Sequence, residues 1–176
     1  MMNKYDLEPL EFLVVGNGAS IHAFDWHRVD SDLRVIVCNG AWLELEDKIA
    51  IDYVVACDDH WVQYNKEHCR RPCYTTDRWA TRHSQHTVPG NSDLDITGTL
   101  AIKLALAHAP EYIHCIGFDT VTHDGTERWH EHELKRGTIK KTQRFRDQYH
   151  LLLADSKPTV LHCLSTPKQW ETWCYK

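Results

Sequence analysis

No run of apolar residues in this 176-residue chain approaches the roughly 20 that a membrane-crossing helix requires. The opening stretch, MMNKYDLEPLEF, has Asp and Glu where a secretory leader would carry its apolar segment, so the cytoplasm is the expected location. Positive charge is not in excess either. Lys and Arg total 20 against 25 Asp and Glu, a formal net charge of −5. A protein that grips nucleic acid through its phosphates needs a basic face, and the one basic run, KRGTIKKTQRFR, lies in an acidic chain. Nucleic acid is therefore not an expected partner, whereas a small phosphorylated ligand is compatible. The seven cysteines contain no Cys-x-x-Cys pair, which removes support for a zinc ribbon or a disulfide framework. Cys38, Cys57, Cys115 and Cys163 sit in or beside apolar segments, as small hydrophobes do. Long linkers, low-complexity runs and internal repeats are absent, and the length suits one domain over residues 1–176.

What is present is a series of short β-rich segments: EFLVVG, LRVIVCN, IDYVVACD, PCYTT, EYIHCIGFD and PTVLHCLS. Most are nearly continuous apolar runs rather than alternations, the mark of strands covered on both faces. Helical segments lie between them. In DITGTLAIKLALAHA, Ile96, Leu100, Leu104 and Ala107 recur at helical spacing, with Asp95 the expected N-cap and Pro110 the stop. DDHWVQYNKEH predicts a short helix from Asp58 or Asp59. TIKKTQRFRDQYHLLLAD predicts a long one, with Phe145, Tyr149 and Leu152 on one side. This alternation predicts an α/β fold: a three-layer, open, mostly parallel sheet. Such sheets bind ligands outside the carboxyl ends of their strands, so the residues just after each apolar run matter most.

The first run exits through Gly16-Asn17-Gly18-Ala19-Ser20. Glycine permits positive φ and close backbone approach, and N–H groups in such a turn can cradle a phosphate or a ribose. The spacing is not that of the usual dinucleotide fingerprint. The second run exits at Asn39-Gly40, where Asn39 is either a turn residue or a reader of a base edge or sugar hydroxyl. The third exits at Asp58-Asp59-His60, suited to Mg²⁺, to ribose hydroxyls or to helix capping. The EYIHCIGFD run exits at Gly117-Phe118-Asp119, where a carboxylate can hold a sugar or a metal. A polar loop follows, TVTHDGTERWHEHELKRG, bearing His123, Arg128, Trp129, His130 and His132. A loop of this length in a compact domain suits an active site, and one of its histidines suits a general base because imidazole titrates near neutrality. A zinc site at His123, His130 and His132 is the lesser use of the same residues. In the tail, Trp170 and Trp173 either close over their own sheet or pack on a second copy of the chain in a homo-oligomer.

The order VVGNGAS, VCNGAW, VVACDDHW, DITGTLAIKLALAHAPEYIHCIGFD, a His-bearing loop and VLHCLS resembles the bacterial sialyltransferases that use CMP-activated sialic acid, and the Rossmann-like proteins around them. That wider set includes archaeal-type 6-hydroxymethylpterin pyrophosphokinases and flagellin-modification proteins. The likeness runs from about residue 11 to about residue 166, and its order and spacing carry it. It implies that Asn17, Gly18 and Ser20 line the phosphate and ribose region and that Asn39 contacts the nucleotide or its sugar. Asp58 stands where the sialyltransferases place an asparagine. Thr97-Gly98 matches their Ser-Gly at the helix start, and Phe118 and Asp119 follow the strand that holds the nucleotide. It also implies an acceptor-deprotonating histidine, at His132 or the nearby His130.

Three functions follow from this reading. The first is a transferase that moves a sugar from a nucleotide-activated donor, with a loop histidine as base and no required cofactor. The second is a Mg²⁺-dependent pyrophosphoryl transferase with Asp58, Asp59 and Asp119 on the metal. The third is a non-catalytic protein on the same fold that binds a nucleotide or a partner.

Overall fold

The computed structural model describes residues 10–92, 95–118, 152 and 159–163. Seven strands form one sheet: β1 (Glu11–Val15), β2 (Arg34–Cys38), β3 (Tyr53–Val55), β4 (Cys73–Thr75), β5 (His86–Thr87), β6 (Tyr112–Ile116) and β7 (Val160–Cys163). They lie in the order β5-β4-β3-β2-β1-β6-β7, and every pairing is parallel. The described helices are α1 (Trp42–Leu45), α2 (Asp59–His68), α3 (Asp77–His83) and α4 (Thr97–Leu106), with 3-10 turns at Ala19–His22 and Trp26–Arg28. Among the described residues no helix is long and apolar enough to cross a membrane.

The continuous apolar runs have the expected physical reason. Successive strand residues face opposite sides, and here both sides are covered. Leu13 and Val15 of β1, Val35 and Val37 of β2 and Ile116 of β6 pack with Ile21, Phe24, Trp26, Trp42 and Leu45 on one side. Phe12, Val14, Ile36, Ile113 and Cys115 pack with Leu100, Ala101, Leu104 and Ala105 of α4 on the other, joined by the helical residue Leu152. Fully buried side chains such as Ile36, Leu100 and Ile113 each contribute about 1.5–3 kcal/mol relative to exposure. The result is the layered α/β architecture expected from the sequence.

All six expected strands are present. β5 is an addition: two exposed residues that carry no apolar signal and exist as a strand because they pair with Tyr74 and Thr75. α2 begins at Asp59 with Asp58 at the N-cap, as expected. α4 corrects one expectation. Its N-cap is Ile96, not Asp95, and Thr99 Oγ1 accepts from the Ile96 N–H at 3.2 Å. Asp95 instead receives the Lys103 ammonium on both carboxylate oxygens at 2.9 Å and the Ser92 N–H at 2.7 Å. A full ion pair with a lysine on the next turns outcompetes a cap hydrogen bond that the same carboxylate could have made. The long helix expected from TIKKTQRFRDQYHLLLAD lies outside the described residues except at Leu152.

Candidate functional site

The strand order reverses between β1 and β6, since β2 to β5 extend one way from β1 and β6 and β7 the other. The carboxyl edge at such a switch point is where open parallel sheets take ligands. The exits of β1, β2, β3 and β6, together with the start of α4, all face this edge.

The β1 and β6 exits are fastened to each other. Gly16 N–H donates to the Ile116 carbonyl at 2.7 Å, Gly18 N–H to the Gly117 carbonyl at 2.8 Å, and Gly117 N–H to Ser20 Oγ at 3.1 Å. A Cβ on Gly16 would collide with the Gly117 carbonyl, and one on Gly117 would come within 2.7 Å of the Gly16 oxygen. Close approach therefore explains Gly16, while Gly117 (φ +75°) also needs the left-handed region. The turn is more committed than the sequence suggests. The Gly18 N–H is used, the Ser20 hydroxyl holds β6, and the Asn17 side chain has no hydrogen-bond partner among the described residues.

A buried polar junction joins β2, β3 and α4. Asn39 leaves β2 at φ 49° and is 5% exposed. Its N–H donates to the Val55 carbonyl at 2.8 Å, which extends the β2–β3 pairing by one residue. Thr97 Oγ1 donates to Asn39 Oδ1 at 3.1 Å and accepts from the Cys57 N–H at 3.3 Å. With the Thr97 proton given to Asn39, the contact at 3.0 Å between Cys57 Sγ and Thr97 Oγ1 has the thiol as donor. Burial pushes the Cys57 thiol up to about 11, and the Asp58 charge adds to this, so the proton that this bond requires stays in place near neutrality. Gly98, next on α4, is buried. The Asn39 Nδ2–H₂ group has no partner among the described residues, so it is a donor held ready at the edge.

Asn65 supports this junction, and sequence reasoning passed over it. It lies inside α2 with no exposure. Its Oδ1 accepts from Trp42 Nε1 at 2.8 Å, and its Nδ2 donates to the Asn39 carbonyl at 3.1 Å. The available signal was its place on the inward stripe of α2, between Val62 and Cys69, where an apolar residue would be expected.

The two adjacent carboxylates separate in role. Asp59 binds His83 Nε2 at 2.6 Å and Arg82 Nη1 at 3.2 Å, which ties α2 to α3. Asp58 occupies the N-cap of α2 but makes no capping hydrogen bond. Among the described residues no three His, Cys, Asp or Glu side chains converge to hold a metal ion. Phe118 is half-buried beside Gly16. Asp119, His123, Arg128, Trp129, His130, His132, Trp170 and Trp173 lie outside the described residues.

No protein-family model matches this chain, and no curated protein matches it significantly. Solved structures do. The monofunctional α-2,3-sialyltransferase Cst-I from Campylobacter jejuni is 13% identical, with a TM-score of 0.61 over 89% of this chain and 76% of that one. The sialyltransferase CstII in complex with a trisaccharide acceptor and CMP is 13% identical, with a TM-score of 0.57 over 88% of this chain and 80% of that one. CstII from Campylobacter jejuni bound to cytidine-5′-monophosphate, a substrate analogue, is also 13% identical, with a TM-score of 0.55 over 88% and 79% of the two chains. At this identity the likeness is one of fold: an α/β architecture shared with these sialyltransferases over most of the chain.

Proposed function

We propose that the chain is a nucleotide-sugar-dependent glycosyltransferase whose donor lies along the carboxyl edge of the sheet. The observation that carries this reading is the Asn39–Thr97 junction. Three chain segments converge on it, it is buried and hydrogen-bonded, and it leaves the Asn39 amide donor unused at a switch point. Preorganised polar groups at such a place suit a ligand with a base, a ribose and a phosphate. The shared fold with sialyltransferases, one of which, CstII, is solved with CMP in two structures, supports the choice of nucleotide sugars.

In this reading Asn17 holds the phosphate and ribose, Asn39 contacts the nucleotide or its sugar, and the start of α4 at Thr97 and Gly98 serves the base and ribose. Gly18, Ser20 and Phe118 shape the β1–β6 side. His132, with His130 as its neighbour, removes the proton of the acceptor hydroxyl as that oxygen attacks the anomeric carbon. The bond from that carbon to the nucleotide phosphate breaks, and the phosphate leaves with its electron pair. No metal is required.

The test is a transfer and hydrolysis assay with CMP- and UDP-activated sugars, run with Mg²⁺ and with EDTA. Activity that survives EDTA and falls at least 100-fold in His132→Ala or His130→Ala supports the mechanism, since a positioned base is worth about 10²–10⁴-fold. Activity abolished by EDTA, or unchanged in the His130→Ala/His132→Ala double variant, contradicts it.

A further inference from the structure

The first turn of α2 presents groups that the fold itself does not use. Asp58 has extended N-cap backbone (φ −97°, ψ 132°), the geometry from which an aspartate normally turns back to cap, yet its carboxylate does not do so. Among the described residues it has neither a hydrogen-bond partner nor an ion pair, in contrast to Asp59, whose two oxygens bind His83 and Arg82. Asp58 follows directly on Cys57, which donates to Thr97 in the buried junction. Its charge therefore sits at the lip of that junction.

Trp61 is three residues on, on the same side of the turn. Its ring lies so close over Gly40 that a Cβ there would overlap it, which explains a glycine directly after Asn39. His60 and Tyr64 brace the ring edge-on, at centroid distances of 5.5 and 5.7 Å. The indole is half-buried, and its N–H has no partner among the described residues. A fixed aromatic wall, an uncommitted carboxylate and an uncommitted N–H donor thus stand together beside Asn39.

We infer that the first turn of α2 is the sugar subsite of the donor and that it selects an uncharged, polyhydroxylated ring over an acidic one. This rests on the reading of the carboxyl edge as a nucleotide site. A carboxylate accepts hydrogen bonds from two adjacent hydroxyls and repels a second carboxylate. It equally disfavours a phosphate next to it. The phosphate therefore belongs toward Asn17 and the switch point, and the sugar toward α2. The Trp61 face covers the apolar side of the ring, and its N–H supplies a donor for a ring oxygen.

The test is calorimetric titration in EDTA with two matched pairs: UDP-glucose against UDP-glucuronate, and CMP-sialic acid against its carboxylate methyl ester. CMP and UMP are titrated alongside. For whichever base binds, the uncharged member should bind about tenfold more tightly, the scale of one like-charge contact near the protein surface. Asp58→Asn, a substitution at an exposed position, should narrow that ratio to about twofold or less. Trp61→Ala should weaken the uncharged sugar nucleotide more than the bare nucleotide. An acidic member that binds equally or better, or a ratio that Asp58→Asn leaves unchanged, overturns the inference. So does a preference that appears only when Mg²⁺ replaces EDTA, because Asp58 would then be a metal ligand. If CMP, UMP and all four sugar nucleotides fail to bind, the reading of a CMP- or UDP-sugar donor has failed, and the sugar subsite falls with it.

Discussion

The Thr97 hydroxyl donates to Asn39 Oδ1 at 3.1 Å across 58 residues of sequence. This one bond ties the exit of β2 to the start of α4, and the Cys57 N–H brings in the exit of β3. Thr97→Val keeps the shape of the side chain and removes the hydroxyl. It leaves the Asn39 oxygen and the Cys57 N–H without partners in a buried place, which costs about 1–3 kcal/mol. Urea unfolding should show a lower midpoint with an unchanged slope, and nucleotide affinity should fall with it. A variant as stable as the wild type would remove the junction from the account.

Asn65 tests whether the backbone at Asn39 must be held. Asn65→Ala strands the Trp42 indole N–H and the Asn39 carbonyl and leaves a cavity in α2. The expected loss is about 2–4 kcal/mol by thermal or urea unfolding. Asn65→Asp keeps the acceptor for Trp42 and loses the donor to Asn39. It also sets a carboxylate at a fully buried position facing the Asn39 carbonyl oxygen, so at neutral pH it should destabilise at least as much as Asn65→Ala.

The paired glycines at the switch point are required for different reasons, and a third glycine separates them. Gly117→Ala must place a Cβ within 2.6 Å of Ile21 Cγ2 and 2.7 Å of the Gly16 oxygen at positive φ, so it should destabilise by about 2–4 kcal/mol. Gly90 also has positive φ (+67°) but nothing within 4 Å, so Gly90→Ala should lose only about 1–2 kcal/mol, the conformational part. Equal losses in the two variants would show that close approach at the switch point contributes nothing.

Buried thiols make stability fall at high pH. Burial pushes Cys57 up to about 11 and Cys73 up to about 12 from the ordinary 9.0. The unfolded chain releases these protons near pH 9, while the native state holds them to about pH 11 and beyond. Their contribution is complete below pH 9 and is lost as pH rises through the native values. Urea midpoints should decline between pH 8 and pH 10.5, and Cys57→Ala should show a shallower decline. A wild-type midpoint that rises over that range contradicts the assignment.

The sheet was legible because its chemistry is local. Six runs such as LRVIVCN announce strands covered on both faces, and the stripe from Ile96 to Ala107 announces α4. The missing pieces are those made by distant partners. β5 has no apolar run and depends on Tyr74 and Thr75, and α3 is short and polar and is anchored by the bond from Asp59 to His83. Asp95 reads as a cap until Lys103 is seen beside it. The candidate site was legible as a set of strand exits, since topology alone brings them to one edge. Its internal bonding was not: Ser20 meets Gly117 across 97 residues, and Asn65 looks like any polar residue of a surface helix until its two partners are in place.

Nucleotides are expected to bind the carboxyl edge of this sheet. Amide chemical-shift mapping of the labelled protein during titration with CMP, UMP, AMP and GMP tests it most directly. At least one nucleotide should perturb Asn17 to Ser20, Asn39, Gly40, Cys57, Asp58 and Thr97 to Thr99, and leave Arg34 and Asp52 at the opposite edge unmoved. Shifts centred on Arg34 and Asp52, or none at any of the named positions with all four nucleotides at millimolar concentration, would contradict it.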